Sequence, residues 1–480
     1  MLRSACGWLL VLCVGITSVP AELVAGELRA GAATSNITPP LGGLIVGGFV
    51  PYPSEHVHDE LHARCLVLDD GETQLALVVC DLLGVGRNLS HTARQLIEQQ
   101  TGIPPERVRI SATHTHSAVS ALGGRDQSTE APLDEYQQFA ARRIADGVTR
   151  AKNLLRPAEL AFGRVQVPEH LFNRRWYLRP GTMPPNPFGQ LDLVKMNPPG
   201  GSPNLVEPAG PIDPEVSVLA VREPQGAMIS ILSAYSLHYV GGVGAKDISA
   251  DYYGVYCERL KQLLSTPDQD PPFVAMMANG TSGDINNINF REPRGRKEPY
   301  EQIRYVANDV AEKVHALLPQ LTYQRELTLG ARYREPELGR RELTPELQQW
   351  ARETHAAGPK GASDLSYIYS ERVLGMLEHT PTTAVPVQVL RIGSVCLGSL
   401  PCEILCEIGL EFKERAPSQA SFMVSLNHGY FGYLPTPRQR DLGGYETWPG
   451  TNRLEREASV KLMQHLLEMA GELFPQPATE

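Results

Sequence analysis

Short apolar runs alternate with amphipathic stretches along most of the chain. The apolar runs are bounded by polar or turn-forming residues, which predicts buried strands at residues 65–68, 74–79, 108–112, 216–221, 228–232, 273–277 and 387–392. Stretches with apolar residues at helical spacing predict helices at 88–100, 134–155, 252–264, 300–318 and 452–473. Alternating strands and helices are typical of an α/β fold, and we expect layered mixed β-sheets flanked by helices.

The chain of 480 residues shows neither a fixed-period repeat nor a change of composition long enough to mark a linker. We therefore predict one large catalytic domain over residues 22–480. Residues 180–214 are rich in Pro, Gly and Asn, and loops of that length usually cover a binding site or are disordered. Residues 343–377 predict a helical insertion, which either packs onto the domain or forms a lid with an apolar inner face.

The first residues carry a short basic start and an apolar run too brief to span a membrane. Small residues around Val19 and Ala21 complete the pattern of a cleaved signal peptide over residues 1–21. This predicts a protein exported to the periplasm or the cell exterior. The alternative is a short membrane anchor.

Charge and cysteine content narrow the function classes. A formal net charge of −10 argues against nucleic acid as a partner, because phosphates require clustered Lys and Arg. Six cysteines remain after residue 21: Cys65, Cys80, Cys257, Cys396, Cys402 and Cys406. The last two are expected on one helix face, and all six predict buried small apolar residues better than a disulfide framework or a thiolate zinc site. Export would permit one or two disulfides.

The candidate chemistry begins at a His-x-His pair. His114 and His116 follow the predicted strand 108–112, and residues i and i+2 of a strand point the same way. The pair could share a metal ion, or divide the roles of ligand and proton carrier. His238 closes another apolar run, and Glu403 lies where a strand leads into a helix expected to begin near it. A helix dipole favours a carboxylate there even without a metal.

Together these segments resemble the neutral or alkaline non-lysosomal ceramidases, specifically their N-terminal amidase domain. The matching segments are residues 57–64, 80–82, 112–117, 173–174, 238, 249–251 and 401–403, followed by Tyr430, Tyr433 and Tyr445. The resemblance runs from one end of the chain to the other.

The resemblance implies a Zn²⁺ ion and hydrolysis of a linear N-acyl amide by attack of zinc-bound hydroxide. The implied zinc ligands are His114, His238, Glu403 and Tyr433. Two imidazoles, a carboxylate and a phenol leave the zinc an open position, as catalysis requires. The resemblance also implies that His116 carries a proton, and that Tyr445 and Arg174 contact the substrate amide and its polar head.

The chain departs from the family pattern at one motif. Asn286 occupies the place of the family's serine in Gly283-Asp284-Ile285-Asn286. An amide can donate or accept a hydrogen bond but cannot form an acyl intermediate, so we expect Asn286 to assist without being a nucleophile. The chain also ends soon after its last predicted helix, and we therefore expect the family's immunoglobulin-like C-terminal domain to be absent.

Three hypotheses follow for the function. The first is a ceramidase-like zinc amidase acting on an N-acyl sphingoid lipid or a similar acylated molecule, with peripheral contact to a membrane. The second is a zinc amidase or esterase acting on a soluble, non-lipid substrate. The third is a catalytically silent binding protein that retains the fold. For a lipid substrate, we expect the insertion at 343–377 to border the pocket and offer it apolar side chains.

Overall fold

Three β-sheets form the centre of the fold, and each contains the same arrangement of strands. In each sheet, two antiparallel strands are followed by a helix, and the next strand pairs parallel to the second. The three units are His62–Asp69, Gln74–Cys80, Arg87–Thr101 and Val108–Ala112; Glu215–Arg222, Met228–Tyr235, Asp251–Leu263 and Val274–Asn279; and Val387–Ile392, Val395–Ser399, Cys406–Arg415 and Ala420–Val424. This computed structural model describes residues 26–266 and 268–475.

Further antiparallel strands extend each sheet. Arg29–Asn36 and Arg156–Pro157 extend the first, Glu159–Gln166 the second and Leu329–Arg334 the third. The inner faces of the three sheets meet in one apolar cluster, to which Leu66, Leu219 and Leu390 each belong. Because the strands are buried on both faces, they appear in the sequence as continuous apolar runs.

Pairs of helices cover the outer faces of the sheets. The pairs are Arg87–Thr101 with Glu135–Asn153, Asp251–Leu263 with Glu301–Leu317, and Cys406–Arg415 with Ala458–Leu473. Each pair shares a separate apolar cluster with its sheet. The predicted α/β fold of layered mixed sheets flanked by helices is confirmed.

The remaining elements are short. Three-stranded sheets comprise Val194–Met196, Arg175–Leu178 and Leu205–Pro208, and Tyr52–Pro53, Leu44–Val46 and Ala118–Val119. Two-stranded pairs join Gly26–Glu27 with Glu326–Leu327, Phe172–Asn173 with Ile285–Asn286, His56–Val57 with Asp247–Ile248, Glu337–Gly339 with Thr382–Ala384, and Glu403–Ile404 with Tyr433–Leu434. Residues 180–214 thus contain two strands of a small sheet, instead of being an irregular loop throughout.

The insertion at 343–377 is a pair of helices, Pro345–Ala357 and Leu365–Met376. The Thr344 side chain accepts from the backbone N–H of Leu347, and the Asp364 side chain caps the second helix in the same way. A further short helix spans Pro437–Asp441, and 3₁₀ turns occur at Pro105–Arg107, Pro168–His170, Leu318–Gln320 and Tyr445–Thr447.

Two predicted helix starts are wrong. The last helix begins at Ala458, because Asn452 and Leu454 form β-bridges with Gly432 and Arg340. The helix expected near Glu403 begins at Cys406, because Glu403–Ile404 pairs with Tyr433–Leu434 instead. Cys402 and Cys406 therefore do not share a helix face, and the helix-dipole explanation for Glu403 does not apply.

All six cysteines of the described chain are buried, and none forms a disulfide, as the sequence predicts. Among the described residues, no helix is long and apolar enough to cross a membrane. The predicted signal peptide, with Cys6 and Cys13, and the boundaries at 22 and 480 lie outside the described residues.

Candidate active site

The carboxyl ends of the parallel strands bring the candidate residues together. His114 follows Val108–Ala112, His238 follows Met228–Tyr235 and Glu403 follows Val395–Ser399, one residue from each sheet. Loops at the carboxyl ends of strands are where α/β proteins usually bind ligands. The fold thus makes one cluster from three distant parts of the sequence.

The rings of His114 and His116 lie close together, but strand alternation, the predicted reason, does not bring them together. The strand ends at Ala112, and His114 has a left-handed backbone with φ of 75°, so strand alternation does not align the two rings. The backbone N–H of His114 donates to the carbonyl oxygen of Leu82 over 2.9 Å, which fixes this turn. The Nε2 atoms of His114 and His116 nevertheless lie 3.2 Å apart.

Backbone carbonyls fix the tautomers of two histidines. The Nδ1 of His114 lies 2.7 Å from the carbonyl oxygen of Leu83, and the Nδ1 of His238 lies 3.1 Å from that of Ser282. Since a carbonyl oxygen only accepts, each Nδ1 carries a proton, and a metal ion would bind the lone pair that the neutral form of each ring has on Nε2. A metal-binding histidine is commonly oriented in this way.

Glu403 faces both of these lone pairs. Its Oε1 accepts a hydrogen bond of 2.6 Å from the Tyr430 hydroxyl. Its Oε2 lies 3.2 Å from Nε2 of His114 and 3.7 Å from Nε2 of His238, and it has no hydrogen-bond partner among the described residues. Burial alone would raise the pKa of Glu403, but His114 and the hydroxyls of Tyr430 and Tyr433 outweigh burial and lower it.

This donor set fits a metal ion. Three buried ligand atoms face one another here, Nε2 of His114, Nε2 of His238 and Oε2 of Glu403, and a bound cation would neutralise the carboxylate and accept the lone pairs of both rings. Ligand atoms at 2.0–2.1 Å from a tetrahedral zinc lie about 3.3 Å apart, close to the separations found here. His116 also belongs to this cluster, since ligand atoms of His114, His116 and His238 all lie within 4.8 Å of one another.

Tyr433, the fourth predicted ligand, is held by Arg174. The Arg174 Nη2 donates to the Tyr433 hydroxyl over 2.9 Å, and its Nε donates to Oε1 of Glu446 over 2.8 Å. The other carboxylate oxygen of Glu446 accepts from Arg175 over 2.6 Å. Burial raises the pKa of Tyr433 well above its usual value, and the charge of Arg174 opposes that change. The guanidinium of Arg174 is therefore fixed beside the cluster.

His116 is packed against an aromatic ring and a glycine. Its ring stacks on Tyr239 with centroids 3.7 Å apart. A Cβ atom at Gly47 would lie 2.6 Å from the imidazole, and Gly47 has a φ of 126°, so only glycine fits there. Burial, together with His114 and Arg174, holds the pKa of His116 well below its ordinary value.

A cleft of about 640 Å³ opens above the cluster. His116, His238, Tyr433 and Tyr445 line it, together with Arg174 and Asn197. The Tyr445 ring lies 5.5 Å from that of Tyr433, and both side chains line the cleft. This volume is typical of small-molecule sites.

Asn286 lies behind the cleft wall. Its Nδ2 donates to Oδ1 of Asn197 over 2.6 Å, and Asn197 is the residue of this pair that lines the cleft. The rest of the motif positions other site residues. Asp284 accepts from the backbone N–H of Cys406 and from Nδ2 of Asn173, both over 2.8 Å. Asp284 thereby ties the segment of Glu403 to the segment of Arg174.

The helical insertion borders the cleft. Its second helix lines it with Ile368, Glu371 and Arg372, a mixed surface that is neither wholly apolar nor wholly charged. The same helix is anchored by Tyr369, whose ring lies 5.3 Å from that of Trp448. The insertion therefore packs onto the domain and borders the cleft, but it does not present the apolar inner face that was expected of a lid.

Sequence reasoning missed several residues of the site. Tyr239, Asn197 and Glu446 contact or support the predicted residues, but each is separated from its contact by long stretches of chain. Tyr239 and Glu446 each carried a local signal, since they directly follow His238 and Tyr445. Asn197 depends on which loops the fold brings together.

Comparison with known proteins agrees with this geometry. No protein-family model matches the chain. A neutral ceramidase of Pseudomonas aeruginosa is 23% identical over 493 residues, covering 90% of this chain and 69% of that protein. A solved structure of a ceramidase complexed with C2 superposes with a TM-score of 0.69 at 16% identity, covering 93% of this chain and 75% of its own. A crystal structure of neutral ceramidase from Pseudomonas aeruginosa superposes with a TM-score of 0.66 at 18% identity, covering 95% of this chain and 75% of that chain. This chain is thus similar in sequence to a neutral ceramidase over most of its length, and it has the fold of the solved ceramidases.

Proposed function

We propose that this protein is a zinc-dependent hydrolase that cleaves the amide bond of an N-acyl substrate. The observation that carries the proposal is the buried Oε2 of Glu403, which faces the Nε2 atoms of His114 and His238 and accepts no hydrogen bond from residues 26–266 or 268–475. The similarity to neutral ceramidase supports amide hydrolysis. His114, His238, Glu403 and Tyr433 would hold the ion. When bound, Zn²⁺ would lower the pKa of water to about 7 and polarise a carbonyl oxygen.

The residues around the ion have separate roles in this proposal. His116 is neutral at ambient pH and its Nε2 points into the cluster, so it can accept a proton and return it to the leaving amine. Arg174 is held by Glu446, and a fixed cation can stabilise the negative charge that develops on the amide oxygen. The phenol of Tyr445 lines the cleft, where it can donate to the substrate.

Asn286 acts through Asn197 in this proposal. Its hydrogen bond holds the Asn197 amide at the cleft wall. Neither amide can form an acyl intermediate. Hydrolysis would therefore proceed without a covalent adduct of the protein.

The substrate class that the proposal favours is an N-acyl lipid. One solved relative is a ceramidase complexed with C2, and the cleft here carries Phe49, Met196 and Ile368 for an acyl chain. A second candidate is an N-acyl compound that is soluble. Glu371, Arg372 and Arg125 in the same cleft favour it, because a wholly apolar chain gives such groups no partner.

The test compares an amide and an ester that share one acyl chain, each with and without detergent micelles. Mass spectrometry should detect the free acid and amine from the amide, and Glu403→Gln, which has nearly the same shape, should release neither. Detergent-dependent cleavage favours the lipid, and cleavage without detergent favours the soluble compound. Hydrolysis of the ester alone, or an unchanged rate in Glu403→Gln, would overturn the proposal.

A further inference from the structure

A small pocket beside the cleft is lined almost entirely by cationic side chains. We name it the arginine pocket; its charged residues are Arg125, Arg340, Arg341, Arg372, Arg453 and His379. Arg125, Arg372 and Arg453 line the active-site cleft as well. The pocket is therefore open to a molecule bound in the cleft.

The arginine pocket lacks counter-ions. Within residues 26–266 and 268–475, no carboxylate oxygen lies within 4.0 Å of any of its five guanidinium groups, whereas Arg174 and Arg175 both pair with Glu446. The carboxylates of Glu371, Asp126 and Glu403 act on Arg125, Arg340 and Arg453 only from beyond that distance. Five clustered cations without an anion repel one another, which a bound anion would relieve.

The hydrogen bonds of the pocket leave donors unused. Arg340 and Arg453 donate to the carbonyl oxygens of Asp126 and Tyr430, over 2.9 and 3.2 Å, and Arg372 donates to a threonine hydroxyl over 3.3 Å. These acceptors are neutral. The Nε of Arg340 is buried and has no partner among the described residues. A buried donor without an acceptor is costly, so it indicates a missing ligand atom.

Burial and neighbouring cations make the charged forms of these arginines less stable. Burial, followed by the charge of Arg440, lowers the pKa of Arg341 to about 9. Burial also lowers the pKa of Arg453, and the charges of Arg125 and Arg372 act in the same direction. The pocket itself is small, about 20 Å³, which is room for little more than one water-sized group. It suits the oxygen atoms of an anionic group better than a whole molecule.

The pocket lies close to the metal cluster. The guanidinium of Arg453 sits 5.2 Å from the ring centroid of Tyr430, whose hydroxyl bonds Glu403 over 2.6 Å. One tyrosine side chain thus separates an arginine of the pocket from a proposed zinc ligand. A substrate with its amide at the cluster could place its polar head in the arginine pocket.

We propose that the arginine pocket binds an anionic group of the substrate, so that the enzyme prefers N-acyl compounds whose polar head carries a carboxylate, sulfonate or phosphate. This inference rests on the proposed amide hydrolysis and specifies its substrate class. Guanidinium groups suit such oxyanions because their planar donors pair with two oxygens at once. A neutral ceramide would leave the pocket without its counter-ion.

The test compares kcat/KM for N-acyl amides that share one acyl chain and differ only in the head: neutral, carboxylate, sulfonate or phosphate. We expect the anionic heads to exceed the neutral head by about tenfold or more, as charge-assisted hydrogen bonds imply. The ratio of kcat/KM for an anionic head to kcat/KM for the neutral head should fall about tenfold in Arg125→Gln and in Arg340→Gln. Arg296→Gln, which removes an exposed charge in another loop, is the matched control and should keep the ratio.

Arg125 is exposed and makes no hydrogen bond within the described chain, so Arg125→Gln remains informative if Arg340→Gln does not fold. A wild-type ratio of one or less, or a ratio unchanged in both variants, would overturn the inference. Activation of neutral-head cleavage by inorganic sulfate, without a preference for anionic heads, would also overturn it, because the anion would then be a free effector.

Binding separates this inference from the proposed function. If no N-acyl amide is cleaved, the proposed function fails, and calorimetric titration with inorganic sulfate then tests the pocket alone. Saturable binding that weakens in Arg125→Gln but not in Arg296→Gln would support the arginine pocket. Absence of saturable binding would overturn it.

Discussion

The Nε2 of His116 lies 3.2 Å from the Nε2 of His114. The Oε2 of Glu403, a proposed zinc ligand, lies at the same distance from that atom of His114. Distance alone therefore does not separate a ligand from a proton carrier. We predict that His116→Ala retains zinc and slows turnover by about 10²- to 10⁴-fold, as loss of a general acid-base group does.

Elemental analysis and turnover, measured on the same preparations, check this division of roles. His114→Ala is the comparison, and it should lose both metal and activity. If His116→Ala lost zinc as completely as His114→Ala, His116 would be a ligand, and the assignment of the pair would have to be exchanged.

Tyr430→Phe should weaken metal binding while preserving the fold. The change removes the hydroxyl that donates to Oε1 of Glu403 and keeps the ring. Loss of such a supporting hydrogen bond typically costs about 10- to 100-fold in metal affinity. Competition with a chelator of known zinc affinity measures it. Tyr136→Phe is the matched control, because its hydroxyl donates to the backbone carbonyl of Ile37, which is not one of the proposed ligands. Equal affinities in the two variants would refute the role of Tyr430.

Asn286→Ala should slow turnover about three- to tenfold, the usual effect of losing one neutral hydrogen bond. Asn197→Ala should have a similar effect, and the double variant should not be additive, because both act through the bond that joins them. Intact-protein mass spectrometry during turnover should find no acyl adduct. Additive losses of turnover in the double variant would show that the two residues act independently. A covalent acyl adduct would exclude the direct hydrolytic route.

Asp284 should make folding stability depend on pH. Burial raises the pKa of Asp284 to about 6 in the folded protein, above its ordinary value of 3.8. A raised pKa means that the folded state holds the proton more tightly than the unfolded state. The resulting contribution to folding stability is fully present below pH 3.8 and is lost as pH rises through 6. The gap between the two pKa values corresponds to about 3 kcal/mol in the free energy of unfolding.

Denaturant unfolding at several pH values between 4 and 7 measures that loss. In Asp284→Asn the side chain does not titrate, so its free energy of unfolding should fall less than that of the wild type over this interval. Parallel pH profiles for the two proteins would show that Asp284 does not titrate there.

The sequence predicted the central strands well, and the reason is physical. Strands such as Val108–Ala112 and Val387–Ile392 are buried on both faces, so their apolar runs have the boundaries that the structure has. The threefold use of one strand–strand–helix–strand unit had no repeated sequence to reveal it. Glu403 illustrates the limit, because its backbone pairs with Tyr433 from a distant segment and so is not at a helix start.

The site was predicted as a set of residues but not as a geometry. His114, His238 and Glu403 meet as expected, yet His114 does so through a left-handed turn that no spacing rule indicates. The arginine pocket left no local pattern either, because its members come from separate loops and a helix. Such features arise only when distant segments pack together.

Removal and return of metal tests the central claim most directly. The purified protein is stripped with a chelator, and amide cleavage is then measured as Zn²⁺ is added back. We predict that activity disappears on stripping and returns in proportion to zinc, reaching its plateau at one ion per chain. Amide cleavage that persists in fully stripped protein, or that zinc fails to restore to a correctly folded chain, would contradict the account.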